Sequence, residues 1–235
     1  MKYLAAASLV AGLLISSAAS AEQVYSVQAW INSPGSQANN TADPARFAVV
    51  SANPATASFT WTGAIDWADT SAQNSTSAGG IAANFFNDDG ALPTNFADHA
   101  SNYTGALSET DFLNSSLTIA GDAYSTFYHI TTTYTSAGSV NETISHDDGA
   151  SIYVDGLQLP GITASETSVV TEGFTLPGGT HTIDLYYVSG NGTPSILNFS
   201  SPGVPEPASW ALMIVGFGGV GAMVRRNRRQ GVLAA

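Results

Sequence analysis

The sequence has no cysteine and very few basic residues, and both absences limit what the protein can do. Without cysteine there is no disulfide, no zinc-thiolate site and no thiol nucleophile. Between residues 22 and 203, Arg46 is the only Lys or Arg, whereas 17 of the 18 acidic residues lie there. Such a negative chain repels phosphate backbones and lacks the cations that nucleic-acid binding requires. Nucleic acid is therefore excluded as a partner, and divalent cations are attracted.

Recognisable catalytic motifs are also missing. The histidines, at positions 99, 129, 146 and 181, show no metal-ligand spacing, and no Gly-x-Ser-x-Gly elbow occurs. A glycoside hydrolase would need two carboxylates at a defined separation across a cleft, which a sequence does not show. We assign no catalytic residue and expect a binding or structural protein rather than an enzyme.

Long apolar runs are confined to the two ends of the chain. The first 21 residues combine Lys2, an apolar run over residues 4–15, and the small residues Ala19 and Ala21 around a cleavage site. The run is shorter than the ~20 residues of a membrane span. We predict a signal peptide over residues 1–21, cleaved after Ala21, and export through Sec-type machinery.

Residues 204–235 combine a turn, an apolar run and a basic cluster. Residues 208–224 carry no charge, and as a helix they would reach ~26 Å, near the lower limit for crossing a bilayer. The arginines that follow favour the cytoplasmic side. We predict a single transmembrane helix here, with the bulk of the chain outside the membrane.

The order of residues in this tail is distinctive. Its marked positions are Pro205, Glu206, Pro207, Trp210, Gly216, Phe217, Gly218, Arg225 and Arg226. In this order they closely resemble the PEP-CTERM sorting signal of Gram-negative bacteria. The resemblance implies recognition by an exosortase, a membrane enzyme that removes the tail, in a host that makes exopolysaccharide. A permanent single-span anchor is the alternative.

The region between the two ends, residues 22–203, is predicted to form one exported domain. Five of its segments alternate apolar and polar residues between turn residues: 26–31, 58–62, 125–135, 151–155 and 180–188. Single-faced strands at short intervals favour an antiparallel β-sandwich, because each sheet must cover its apolar face against another. The chain is thus expected to be all-β between its two terminal segments. Residues 80–86 fit a short helix and a strand equally well.

Two adjacent aspartates stand out in the run "SHDDGASIYVDG". Asp147, Asp148 and Gly149 fit a hairpin corner that joins two alternating strands. The two carboxylates are also candidate ligands for a cation. Adjacent side chains on a regular strand point to opposite faces, so a shared ion would require a local distortion of the strand.

The residues after this pair extend the pattern. In order they are Asp147, Asp148, Gly149, Ile152, Tyr153, Val154, Asp155 and Gly156. This order resembles the signature of a β-sandwich domain first named for the anthrax protective antigen and found also in yeast flocculins, GLEYA adhesins and bacterial glycosidases. The resemblance implies that Asp147 and Asp148 bind Ca²⁺ with an asparagine of a later loop, for which Asn191 is the match. Asp155 and Gly156 are expected to form the next hairpin turn.

The combination of sorting signal and aspartate pair leads to a function prediction. We expect an exported protein that binds carbohydrate with Ca²⁺, the host's exopolysaccharide being the expected ligand. The alternative is a structural matrix protein without a discrete ligand site.

Overall fold

Strands dominate the part of the chain that this computed structural model describes, namely residues 22–34, 41–69, 81–86, 94–117, 124–165, 167–190 and 194–200. The strands are β1 (Val24–Pro34), β2 (Ala57–Thr62), β3 (Ile65–Asp69), β4 (Ala100–Thr104), β5 (Tyr124–Ser136), β6 (Val140–Asp148), β7 (Ala150–Val154), β8 (Leu157–Gln158), β9 (Thr167–Leu176), β10 (Gly179–Ser189) and β11 (Ser195–Phe199). The helices are α1 (Pro44–Val50), α2 (Ala82–Phe85), α3 (Thr94–His99) and α4 (Glu109–Leu113). These residues fall within one structural unit, Ala21–Val204.

Two antiparallel sheets pack face to face. The seven-stranded sheet has the order β4-β2-β1-β5-β10-β7-β8, and the four-stranded sheet has the order β3-β11-β6-β9. Ring contacts join the two layers. The ring centroids of Tyr25 and Phe199 are 6.4 Å apart, and those of Trp61 and Trp67 are 5.2 Å apart. The β-sandwich predicted from the alternating segments is confirmed for the described residues.

The five alternating segments lie in β1, β2, β5, β7 and β10. Their apolar positions are buried between the sheets, because successive side chains of a strand point to opposite faces. In β10, for example, Ile183, Leu185 and Tyr187 are buried, while Thr180 and Thr182 are exposed.

Residues 82–85 are helical, which resolves the choice that the sequence left open. Phe85 and Phe86 enter the core there, with ring centroids 5.7 Å and 4.9 Å from that of Trp67. A short apolar run fits both a buried helix and a buried strand, so periodicity alone does not distinguish them.

The chain changes sheets through very short links. β2 and β3 belong to different sheets, although residues 63–64 alone separate them. β6 and β7 also belong to different sheets, and Gly149 alone separates them. The Asp-Asp-Gly run therefore lies where the chain leaves one layer for the other.

Candidate functional site

Asp147 and Asp148 are the last two residues of β6. They do not form the predicted hairpin corner. β6 pairs with β9 and β11, whereas β7 pairs with β8 and β10. That prediction was wrong because alternation shows which face of a strand is buried, but not which strand pairs with it.

The pairing between β6 and β9 is irregular at this point. Along most of β6 buried and less buried positions alternate, but His146, Asp147 and Asp148 are all buried. The pairing register with β9 also shifts between His146 and Asp148. Asp147 alone in β6 lies opposite two residues of β9, Ser168 and Val169, so the strand that bulges is β9. The register shift therefore lies beside the aspartate pair, on the neighbouring strand.

Main-chain groups of β10 and of the residue after it bind the Asp-Asp-Gly corner, that is, residues 147–149 where β6 passes into β7. The Gly190 N–H donates to Asp148 Oδ2 over 2.6 Å, and the Val188 N–H donates to the Gly149 carbonyl over 3.0 Å. A hydrogen bond to a carboxylate is stronger than one between neutral groups. The C-terminal end of β10 thus fixes both the Asp148 side chain and the backbone that follows it.

His146 also contacts the Asp-Asp-Gly corner. Its Nδ1 donates to the Asp148 carbonyl oxygen over 2.6 Å, and its Nε2 lies 3.1 Å from Glu172 Oε2. The Glu172 carboxylate also accepts from Thr163 N over 2.8 Å and from Thr163 Oγ1. Burial disfavours the ionised carboxylate, but the hydrogen bonds from Thr163 and His146 outweigh it and lower the pKa of Glu172.

The hydroxyl-bearing side chains Tyr187 and Ser189, near the C-terminal end of β10, and Ser195 of β11 are buried. Ser189 Oγ and Ser195 Oγ are 2.7 Å apart. The pKa of Tyr187 is raised well above its usual value, first by burial and then by the negative charges of Asp148 and Asp147. Ser189 lowers the pKa of Tyr187 and so offsets part of this rise. Within the described residues, however, no group lies in hydrogen-bond geometry with the Tyr187 hydroxyl. The Tyr187 hydroxyl therefore lies within electrostatic reach of both carboxylates.

The two carboxylates suit a hard cation, because Ca²⁺ prefers oxygen ligands. Within the described ranges, no group of three or more His, Asp or Glu side chains is close enough together to hold a metal ion. Further ligands would have to be main-chain carbonyls, water, a guest molecule or Asn191.

Several residues named from the sequence lie outside the described ranges. They are Asn191, the cleavage residues Ala19 and Ala21, the apolar run 208–224 and the whole sorting motif from Pro205 to Arg226. Gly190, which precedes Asn191, makes the contact with Asp148 described above. Among the helices of the described residues, none is long and apolar enough to cross a membrane.

The tail matches a known family model, that of the PEP-CTERM protein-sorting motif, over residues 203–229. The chain carries a PEP-CTERM sorting signal. This confirms the resemblance drawn from Pro205, Glu206 and Pro207, and it indicates an exported protein sorted to the cell surface by an exosortase. No curated protein shows significant similarity to the chain.

Solved structures of low sequence identity match parts of the chain. A PA14 sugar-binding domain from an RTX adhesin is 21% identical, with 76% of this chain and 88% of that one covered and a TM-score of 0.41. The PA14 domain of the MpAFP antifreeze protein is 14% identical, with 81% and 92% covered and a TM-score of 0.40. A GH31 alpha-xylosidase from Xanthomonas citri is 18% identical, with 36% and 10% covered and a TM-score of 0.25. At these TM-scores the fold family of the exported region stays a prediction.

Sequence reasoning missed the groups around the aspartate pair. Tyr187 occupies an ordinary inward-facing position of β10, and Glu172 lies in β9, outside the five alternating segments. The one available signal was Ser189, a polar residue that continues the inward-facing, apolar side of β10.

Proposed function

We propose that this exported, exosortase-sorted chain is a cell-envelope protein whose β-sandwich binds carbohydrate with the help of Ca²⁺. Asp147, Asp148 and Asn191 are the proposed ligands of the ion, and the host's exopolysaccharide is the proposed carbohydrate. The observation that supports this most is the burial of two consecutive carboxylates at the end of β6, beside the register shift with β9.

The negative charge of the exported region favours a cation at this site. Burying a carboxylate is unfavourable unless opposite charge or hydrogen bonds compensate, and two adjacent carboxylates also repel each other. The exported region as a whole is strongly negative, with Arg46 as its only Lys or Arg against 17 acidic residues, and such a field attracts divalent cations. One hard dication compensates both carboxylates at once.

The coordination number of Ca²⁺ leaves room for a sugar at this site. Ca²⁺ takes about six to eight oxygen ligands. Two carboxylates and an amide oxygen leave positions for carbonyls, water and the neighbouring hydroxyls of a sugar. Asp148 is fully buried, whereas Asp147 keeps 6% of its surface exposed. The proposed guest therefore approaches from the Asp147 side.

A calcium titration of the full-length protein in detergent tests the site. Asp147→Asn and Asp148→Asn keep the side-chain size but remove the charge, and Asp98→Asn removes the same charge at an exposed position of α3. We expect calorimetry to show at least tenfold weaker Ca²⁺ binding for the first two variants and less than a twofold change for Asp98→Asn. At about 100 times the Kd, Ca²⁺ should stabilise the wild type by ~2.7 kcal/mol, or roughly 5 to 10 °C in Tm.

Glycan binding is measured on the same proteins with exopolysaccharide purified from the host. We expect wild type and Asp98→Asn to be retained on the polymer in Ca²⁺ and released by EDTA, and Asp147→Asn not to be retained. If Ca²⁺ changes neither Tm nor retention, the structural matrix protein is the correct description. If new reducing ends appear in the polymer, the protein is a glycoside hydrolase instead.

A further inference from the structure

Two tyrosines in the core form a matched pair. Tyr187 of β10 and Tyr128 of β5 face each other in the sheet register, and their rings stack with centroids 5.9 Å apart. Both side chains are fully buried, and within the described part of the chain neither hydroxyl has a hydrogen-bond partner. A buried hydroxyl without a partner is unfavourable, so each such group requires a reason.

The two tyrosines differ in what lies beside them. Tyr187 pairs with Ala150, directly after the Asp-Asp-Gly corner. The next residues of its strand hold that corner, through the Val188 N–H to the Gly149 carbonyl and the Gly190 N–H to Asp148. The charges of Asp148 and Asp147 add to burial in raising the pKa of Tyr187, whereas burial alone raises the pKa of Tyr128.

We infer that Tyr187 is a positioning residue of the cation site, whose hydroxyl donates a hydrogen bond to the aspartate pair when the ion is bound. This inference rests on the proposed function. The phenol is neutral and carries one O–H, so it supplies a donor to a carboxylate that binds the ion through another oxygen lone pair. Groups that donate a hydrogen bond to a metal ligand fix the orientation of that ligand. Loss of such a donor typically lowers the metal affinity about 10- to 100-fold.

The test compares Tyr187→Phe with Tyr128→Phe in the full-length protein. Each substitution removes one buried hydroxyl from the same aromatic stack and keeps the ring. We expect calorimetry with CaCl₂ to show at least tenfold weaker binding for Tyr187→Phe and less than a twofold change for Tyr128→Phe. Ca²⁺ should also change the tyrosine absorbance of wild type and Tyr128→Phe, and this change should disappear in Tyr187→Phe.

Every outcome decides the inference. Melting in EDTA and near-ultraviolet circular dichroism establish that both variants are folded. Equal Ca²⁺ affinity of Tyr187→Phe and wild type overturns the inference, and so does an equal loss in both variants, which would reflect packing alone. If the wild type takes up no Ca²⁺, the proposed function fails and the role of Tyr187 fails with it. This result differs from the two outcomes above, in which the wild type binds Ca²⁺ and only the role of Tyr187 is overturned.

Discussion

At the scale of single residues, Asp155 in the turn between β7 and β8 pairs with His181 of β10. His181 Nδ1 lies 2.7 Å from Asp155 Oδ2, and the Thr182 N–H donates to Asp155 Oδ1 over 2.9 Å. The turn places Asp155 at φ 50° and Gly156 at φ 80°. Both angles lie in the region that Asp-Gly turns supply, so the hairpin predicted for these two residues is confirmed.

This pair makes stability depend on pH in a defined window. The hydrogen bond with Asp155 raises the pKa of His181, so its contribution is complete below about pH 6.5 and is lost as pH rises through the raised pKa. The same bond lowers the pKa of Asp155, so its contribution is complete above about pH 4 and is lost as pH falls through the lowered pKa. We expect the Tm difference between wild type and Asp155→Asn to be largest from roughly pH 4 to 6.5.

Thermal melts of both proteins between pH 3 and 9 measure this difference. Asn is the matched replacement because it also tolerates positive φ. In a His181→Gln background, the Tm change caused by Asp155→Asn should be smaller than in wild type at every pH of this range. A difference that does not vary with pH would contradict the assignment.

At the scale of elements, α1 covers a second aromatic cluster on the outer face of the seven-stranded sheet. The ring of Phe47 lies 5.6 Å from that of Trp30, 4.3 Å from that of His129 and 5.7 Å from that of Tyr186. The helix begins with an N-cap, in which Asp43 Oδ1 accepts from Arg46 N over 2.7 Å. This cap satisfies a backbone donor that the helix itself leaves unpaired.

Loss of the cap should loosen this element. We expect Asp43→Ala to cost about 1 kcal/mol in the free energy of unfolding, the usual effect of removing a capping carboxylate. The near-ultraviolet circular dichroism should change as well, because Trp30 packs against Phe47. Ser108→Ala removes the corresponding cap of α4 and serves as the control that leaves the Trp30 signal intact. Urea denaturation with unchanged midpoints in Asp43→Ala would refute this role of the cap.

The elements also show how far the sequence leads. The five alternating segments identify β1, β2, β5, β7 and β10, because a strand with one buried face alternates apolar and polar residues in the sequence. Their partners are not encoded locally, and the corner at Gly149 was therefore misread as a hairpin. Asp147 and Asp148 are conspicuous in the sequence, but Tyr187 is not, since a tyrosine at a core position looks the same whether or not a carboxylate lies beside it.

At the scale of the whole molecule, the exported region is followed by the sorting segment at residues 203–229. We expect Ala substitution of Pro205, Glu206 and Pro207 together to prevent removal of the tail in the native host, because it removes the tripeptide that an exosortase is expected to read. The protein should then stay in the membrane fraction at its unprocessed mass. Pro202→Ala, just outside the matched residues, is the control expected to be processed normally.

Immunoblots of membrane, surface and medium fractions distinguish the two outcomes. Release of the triple variant at the wild-type level would show that the tripeptide is not the recognised feature. Retention of both the variant and the wild type would instead indicate a permanent anchor.

The placement of the Asp-Asp-Gly corner has a mechanical consequence. The last strand before the tail, β11, pairs with β6, with Phe199 opposite Ile144 and Leu197 opposite His146. Because the two strands are antiparallel, tension between the proposed ligand at Asp148 and a tether after Phe199 would pull each strand from its C-terminal end, in opposite directions. Their ladder is then loaded in shear, so its hydrogen bonds share the load instead of opening one at a time.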